Sequence, residues 1–286
     1  MWNQLKTILL FGILSALLIG IGGTLAPDSL MVFVAIALVM NVGAYFFSDK
    51  IVLATYRARE VSEEEAPELY EIVGELARAA KIPQPRVFVI PEAQPNAFAT
   101  GRNPQHAVVA VTEGLMTMLD RREIRGVLAH EIGHVKNRDI LISTVAAVIA
   151  SAITTIAQVL SFGAMFGGRS EDRNPLTGLV GIIVGPIAAT LIQLAISRSR
   201  ELEADETGAK LAADPDGLIS ALLKLDQAAK RIAPEHASPG TANLFIVNPF
   251  GAREFSRYLS THPPIEERIE RLRELAAGSM QPRYAG

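Results

Sequence analysis

Cysteine is absent from all 286 residues, which excludes a disulfide framework and any Cys-ligated metal and fits a reducing compartment. Charge is also scarce. Asp, Glu, Lys and Arg supply only 20% of the chain against 49% hydrophobic residues, and mean hydropathy is +0.27. A soluble domain of this size carries about a quarter charged residues. The charges that remain nearly cancel, leaving a net −3. The basic balance of a nucleic-acid binder is missing, and no nucleic-acid partner is expected. Internal repeats and low-complexity tracts are missing too.

The shortage of charge is concentrated in four runs: Thr7–Pro27, Ser29–Ser48, Ile140–Gly168 and Pro175–Ser197 contain no Asp, Glu, Lys or Arg. Each reaches the roughly 18–20 apolar residues that a helix needs to cross a bilayer. The expected spans cover residues 7–26, 29–48, 140–165 and 175–197. The first is too long for a signal-peptide core and is followed at once by another, so residues 1–48 read as a transmembrane hairpin turning at Ala26-Pro27-Asp28. The third is weakened by Ser143, Thr144, Thr154, Thr155 and Gln158, and it admits either a full crossing or a re-entrant helix. The fourth carries Gly181 and Gly185, a spacing that lets helices approach closely, and Pro186, which predicts a kink. The chain thus divides into the hairpin, a polar segment 49–138, a second membrane pair 139–197 and a polar segment 198–286. Lys6, Lys50, Arg57, Arg59, Lys136, Arg138, Arg198 and Arg200 flank the spans on one side, against Arg169 and Arg173 on the other. Basic residues accumulate on the cytoplasmic side, which places both polar segments there.

Within the polar segments, Ser62 and Glu65 form a capping-box pattern that opens a helix to about Ala80. Val87–Ile90 and His106–Val111 read as strands, separated by a Pro-, Asn- and Gly-rich loop over Pro91–Pro104. Thr112 and Asp120 are N-cap candidates, the latter with Glu123 three residues on. Helices are expected over Gly217–Ile232 and Pro264–Ala276.

Two of the five histidines stand four apart in His130-Glu131-Ile132-Gly133-His134, inside an apolar-striped helical pattern over Arg121–Arg138. On a helix both rings then share a face, as two ligands of one Zn²⁺ require, with Glu131 beside them as a general base. A catalytic zinc needs a third protein ligand. Glu201 is the strongest candidate, with Asp205 on the same helical face to hold the far nitrogen of a ligating histidine, most simply His130. Glu203 competes with Glu201 but faces away from it. The HExxH helix ends just before the third run and Glu201 follows just after the fourth. At about 1.5 Å per helical residue, both lie within about 10 Å of one membrane surface.

HExxH directly before one span and Glu-x-x-x-Asp directly after the next resemble the HtpX family of membrane zinc metalloproteases, relatives of the CAAX prenyl endopeptidases. Asn96-Ala-Phe-Ala-Thr-Gly101, Ser197–Asp205 and Thr261-His-Pro-Pro-Ile-Glu-Glu-Arg268 extend the resemblance along nearly the whole chain. It implies a mostly α membrane protein whose four spans hold a cytosolic α+β, gluzincin-type metalloprotease domain in the inner (plasma) membrane. It also implies one Zn²⁺ per subunit and unfolded or damaged membrane proteins as substrates. His262 and Arg268 match residues that lie over the metal in this group and could donate to the oxyanion of the tetrahedral intermediate. His262 could equally fill the open zinc position in a resting state. Asn96 and the strand around Val108, Val109 and Ala110 match the loop and edge strand against which related enzymes hold extended substrate. Two alternatives stand beside the protease: a prenyl-protein-type endopeptidase, disfavoured because members with that role carry more spans, and a non-catalytic zinc-binding scaffold, disfavoured by the intact Glu131.

Overall fold

Long uncharged runs have little choice of structure: without water, the backbone must bond to itself within one segment. In the computed structural model, which describes residues 2–25, 27–150, 198–231, 244–247 and 263–280, the first run forms α1 (Trp2–Leu25) and the second α2 (Leu30–Thr55). They are joined through a 3-10 turn at Pro27–Ser29. Among the described residues, α2 is the one helix long and apolar enough to cross a membrane, with a mean hydropathy of 2.3. Large side chains such as Met31, Leu38 and Val39 face outward from it. A polar pin crosses the hairpin, Asn41 Nδ2 donating to Ser15 Oγ at 2.7 Å.

The start of the third run forms α6 (Ile140–Ala150). Its Ile142, Val145 and Ile149 pack on Leu10, Leu14 and Ala37 of the hairpin. The rest of the third run, the fourth run, His236 and His262 lie outside the described residues.

The polar segments build a four-stranded sheet and its covering helices. Strand order is β1 (Arg59–Glu60), β2 (Arg86–Ile90), β4 (Val108–Thr112), β3 (Ala97–Thr100). β2 and β4 run parallel, while β1 and β3 pair antiparallel to their neighbours. Helices α3 (Pro67–Ala80), α4 (Glu113–Met118), α5 (Arg121–Asn137), α7 (Arg198–Ala212), α8 (Pro215–Ala229) and α9 (Ile265–Met280) complete the unit. Its core joins Ile72 and Leu76 of α3 to Val109 and Val111 of β4, Leu128 and Ile132 of α5, Leu222 of α8 and Leu272 of α9.

Three local expectations shift. The Ser62/Glu65 reciprocal bonds are present, but they close a turn, and α3 starts at Pro67 because proline suits a first helical turn. The stretch Pro91–Pro104 contains β3, four residues whose strand character comes from pairing with β4. The second strand begins at Val108, since His106 belongs to a 3-10 turn.

Candidate active site

Helix α5 is set by its start. Asp120 and Glu123 exchange the two bonds of a capping box, and Glu123 also receives Ser220 Oγ and Lys224 Nζ from α8. From there the heptad-like stripe of Ile124, Val127, Leu128 and Ile132 is buried against the core, and His130 and His134 project from one face. Their Nε2 atoms stand 3.2 Å apart. Glu201 of α7 arrives between them, Oε2 at 3.7 Å from His130 Nε2 and Oε1 at 3.6 Å from His134 Nε2. A tetrahedral ion with bonds of about 2.0–2.1 Å holds its donors about 3.3–3.4 Å apart. The nitrogen, nitrogen and oxygen donors, all within 4.8 Å of one another, therefore fit one metal ion. Glu203 is exposed, whereas Glu201 and Asp205 are buried.

The close meeting of α5 and α7 depends on a missing side chain. A Cβ on Gly208 would stand 2.7 Å from the backbone nitrogen of His130, nearer than any real Cβ tolerates.

Each histidine is backed by a carboxylate. His130 Nδ1 lies 2.8 Å from Asp205 Oδ1, and His134 Nδ1 lies 3.0 Å from Asp139 Oδ2. Asp139 was not singled out from the sequence. Its signal is its place, five residues after His134 and immediately before α6. Burial works against a charged His134, but Asp139, Glu201 and Glu131 outweigh it and hold the ring's pKa up at about 10 in the metal-free protein.

Arg268 occupies a different position from the one expected over the metal. It is fully buried, and Nε and Nη2 donate to the two oxygens of Asp205 at 2.7 Å each, while Nη1 donates to the Ile246 carbonyl at 2.9 Å. With its fork committed to Asp205, it orients the carboxylate behind His130. Burial alone would raise the Asp205 carboxyl, yet Arg268 and His130 bring it down to about 2.

Glu131 is 5% exposed, and Oε2 accepts the Ala99 backbone N–H at 2.7 Å. Burial pushes its carboxyl pKa up, against the pull of His130, His134 and that N–H. Arg200 is a further, half-buried cation close enough to Asp139 and Glu201 to interact with both charges. The cluster thus sets the carboxylates Glu131, Asp139, Glu201 and Asp205 against the guanidiniums Arg200 and Arg268. In the metal-free protein a proton held on His134 offsets part of this excess of negative charge, and a divalent ion bound at the rings would take that proton's place.

The substrate-strand expectation needs correction. Val108, Val109 and Ala110 are completely buried and pair with β2 on one side and β3 on the other, so no edge is left for an added strand. Of the two edge strands, β1 and β3, it is β3 that reaches the site, where its Ala99 N–H donates to Glu131. Asn96 does not line an open groove either. Its Nδ2 donates to Leu244 O at 3.0 Å and its Oδ1 accepts from Ile246 N at 3.2 Å. It thereby ties residues 244–246 over a cavity of about 30 Å³ lined by Phe98, Ala99, His130, Glu131 and Glu201, room for about one water.

The chain is similar to known proteins along most of its length. It is 54% identical to the "Protease HtpX homolog" of Syntrophobacter fumaroxidans over 282 residues, covering 96% of this chain and 100% of that one. It is also 54% identical to the "Protease HtpX homolog" of Pyrococcus furiosus over 275 residues, with 95% of each covered. Among solved structures, the crystal structure of S. mikatae Ste24p shares the fold at a TM-score of 0.53 and 20% identity, over 94% of this chain and 65% of that one. The model of peptidase family M48 matches residues 63–276, which span strands β2 to β4, the paired histidines, Glu201 and Arg268. The chain therefore belongs to peptidase family M48.

Proposed function

We propose that the protein is a membrane-integral zinc endopeptidase of the HtpX kind, cutting unfolded or damaged membrane proteins on the cytoplasmic side of the inner membrane. The observation that carries this reading is the convergence of His130, His134 and Glu201 on one point beside a buried Glu131. Four spans, one Zn²⁺ per subunit and a catalytic unit assembled from residues 49–138 and 198–286 belong to the same proposal.

His130, His134 and Glu201 would hold the ion, Asp205 and Asp139 keeping the two rings turned toward it. Zinc bound there supplies Lewis acidity, making a water nucleophilic near neutral pH and polarising the peptide carbonyl. Glu131 takes the water's proton and passes it to the leaving amine, a role that suits a carboxyl whose pKa burial has raised. Extended substrate would add to the outer edge of β3, after residues 244–246 yield. Such pairing engages backbone more than side chains, as a protease of varied unfolded chains requires. His262, outside the described residues, remains the candidate oxyanion donor.

The test compares the detergent-purified full chain with its Glu131→Gln variant for zinc content and casein cleavage. The variant should keep its zinc and lose at least about a hundredfold in rate. A variant that cleaves at the parent rate, or a zinc-loaded parent that does not cleave, would refute the assignment and leave the scaffold.

A further inference from the structure

A cavity of about 750 Å³ opens where the hairpin meets the α+β unit, a volume typical of ligand pockets. Its floor is apolar, made by Ile8 and Phe11 of α1 and Leu141 of α6, and its roof is polar, made by Arg102, Asn137 and Arg138. Thr7 and Tyr45 also line it. Both sit at the same end of the hairpin, beside the points where the first uncharged run begins and the second ends. The cavity therefore straddles the level where lipid tails would give way to headgroups.

Its charge is one-sided. No Asp or Glu stands among its described lining residues. Arg102 packs its guanidinium 5.7 Å from the Phe46 ring centre and lies 2.6 Å from His106 Nε2. His106 Nδ1 is in turn 2.6 Å from Asn103 Oδ1. An amide oxygen only accepts, so Nδ1 carries the ring proton and Nε2 accepts from Arg102. The guanidinium is thus fixed in place by a neutral ring, its charge not cancelled by a carboxylate among the described residues. Asn137 Nδ2 is buried with no hydrogen-bond acceptor among them.

We propose that this cavity binds the phosphate headgroup of an anionic phospholipid, Arg102, Arg138 and Asn137 meeting the phosphate and the Ile8–Phe11–Leu141 floor receiving the acyl chains. The proposal rests on the membrane placement of the protein, though not on its peptidase chemistry. Ile140 lines both this cavity and the one at the metal ligands, so the bound lipid would stand one side chain from the active site.

The test uses the full chain in detergent, with retained phosphatidylglycerol and phosphatidylcholine counted by native mass spectrometry. The parent should retain phosphatidylglycerol preferentially, and R102Q/R138Q should lose that preference by about tenfold or more, since each basic residue at an anionic surface contributes roughly 1 kcal/mol. R102Q alone should lose severalfold, which keeps the test decisive if the double variant does not fold. Preference unchanged in the variants, or absent from the parent, overturns the proposal. Displacement of the lipid by millimolar inorganic phosphate would identify a free-anion site and overturn the lipid source. Alkali extraction from liposomes is read separately. Protein that washes out fails the membrane placement and the lipid site with it, whereas protein that stays but shows no lipid preference fails the lipid site alone.

Discussion

Glu201 and Glu203 are two residues apart and differ only in the face they occupy, yet one is buried at the two imidazoles and the other is exposed. Glu201→Ala should lose zinc on dialysis while Glu203→Ala keeps it, as metal analysis of both proteins will read. Equal retention would reject Glu201 as the third ligand. His134 makes a pH-dependent prediction for the metal-free protein. Its pKa is raised from 6.5 to about 10 in the folded chain, so the folded state binds the proton more tightly than the unfolded one. The resulting stabilisation is complete below pH 6.5 and fades as the pH rises toward about 10. Melting temperatures of chelator-treated protein should fall across that window, and His134→Gln should flatten the fall. A variant with the same slope would place the titrating group elsewhere.

Helices α5 and α7 bring the ligands together only because Gly208 lets their backbones nearly touch. Gly208→Ala should cost about 1–3 kcal/mol and weaken zinc retention, because the added methyl pushes Glu201 and Asp205 away from His130. Gly278→Ala, with nothing within 4 Å of its Cβ, is the control and should leave both stability and zinc intact. If Gly208→Ala binds zinc as the parent does, the helix crossing is not what sets ligand spacing. Features with local causes were legible in the sequence: the Asp120–Glu123 cap, the paired histidines, and Glu201 with Asp205 on one face of α7. Features whose cause lies far along the chain were not. β3 is four residues that become a strand by pairing with β4. Arg268 reads as a solvated helix charge until Asp205, 63 residues away, is folded against it. Asn96 reads as a loop residue until residues 244–246, about 150 positions on, close over it. Asp139 has a local cause too, standing five residues after His134, but HExxH spacing carries no mark of it.

Across the whole molecule, the apolar cluster of α1, α2 and α6 and the core of the α+β unit are bridged by a third cluster, in which Val52 and Leu53 of α2, Tyr56 just after it and Ala147 of α6 pack on Phe88, Phe98, Val108 and Ala110 of the sheet. Asp139 adds a polar link beside the metal ligands. Its carboxylate holds His134, and its carbonyl accepts the Ser143 N–H at 3.3 Å in the first turn of α6. One residue therefore belongs both to the support of a metal ligand and to the end of an apolar helix. If α6 lies in the bilayer, a thinner or thicker hydrocarbon layer tilts it at a cost of fractions of a kcal/mol per ångström, and the tilt reaches the imidazole with little slack between them. Such an enzyme is a strain gauge, its turnover set by the mechanical state of the lipid around it as well as by substrate supply. Cleavage of soluble casein in nanodiscs of shorter- and longer-chain lipids, at equal zinc content, should differ severalfold. Equal rates would mean that α6 tilts without moving His134.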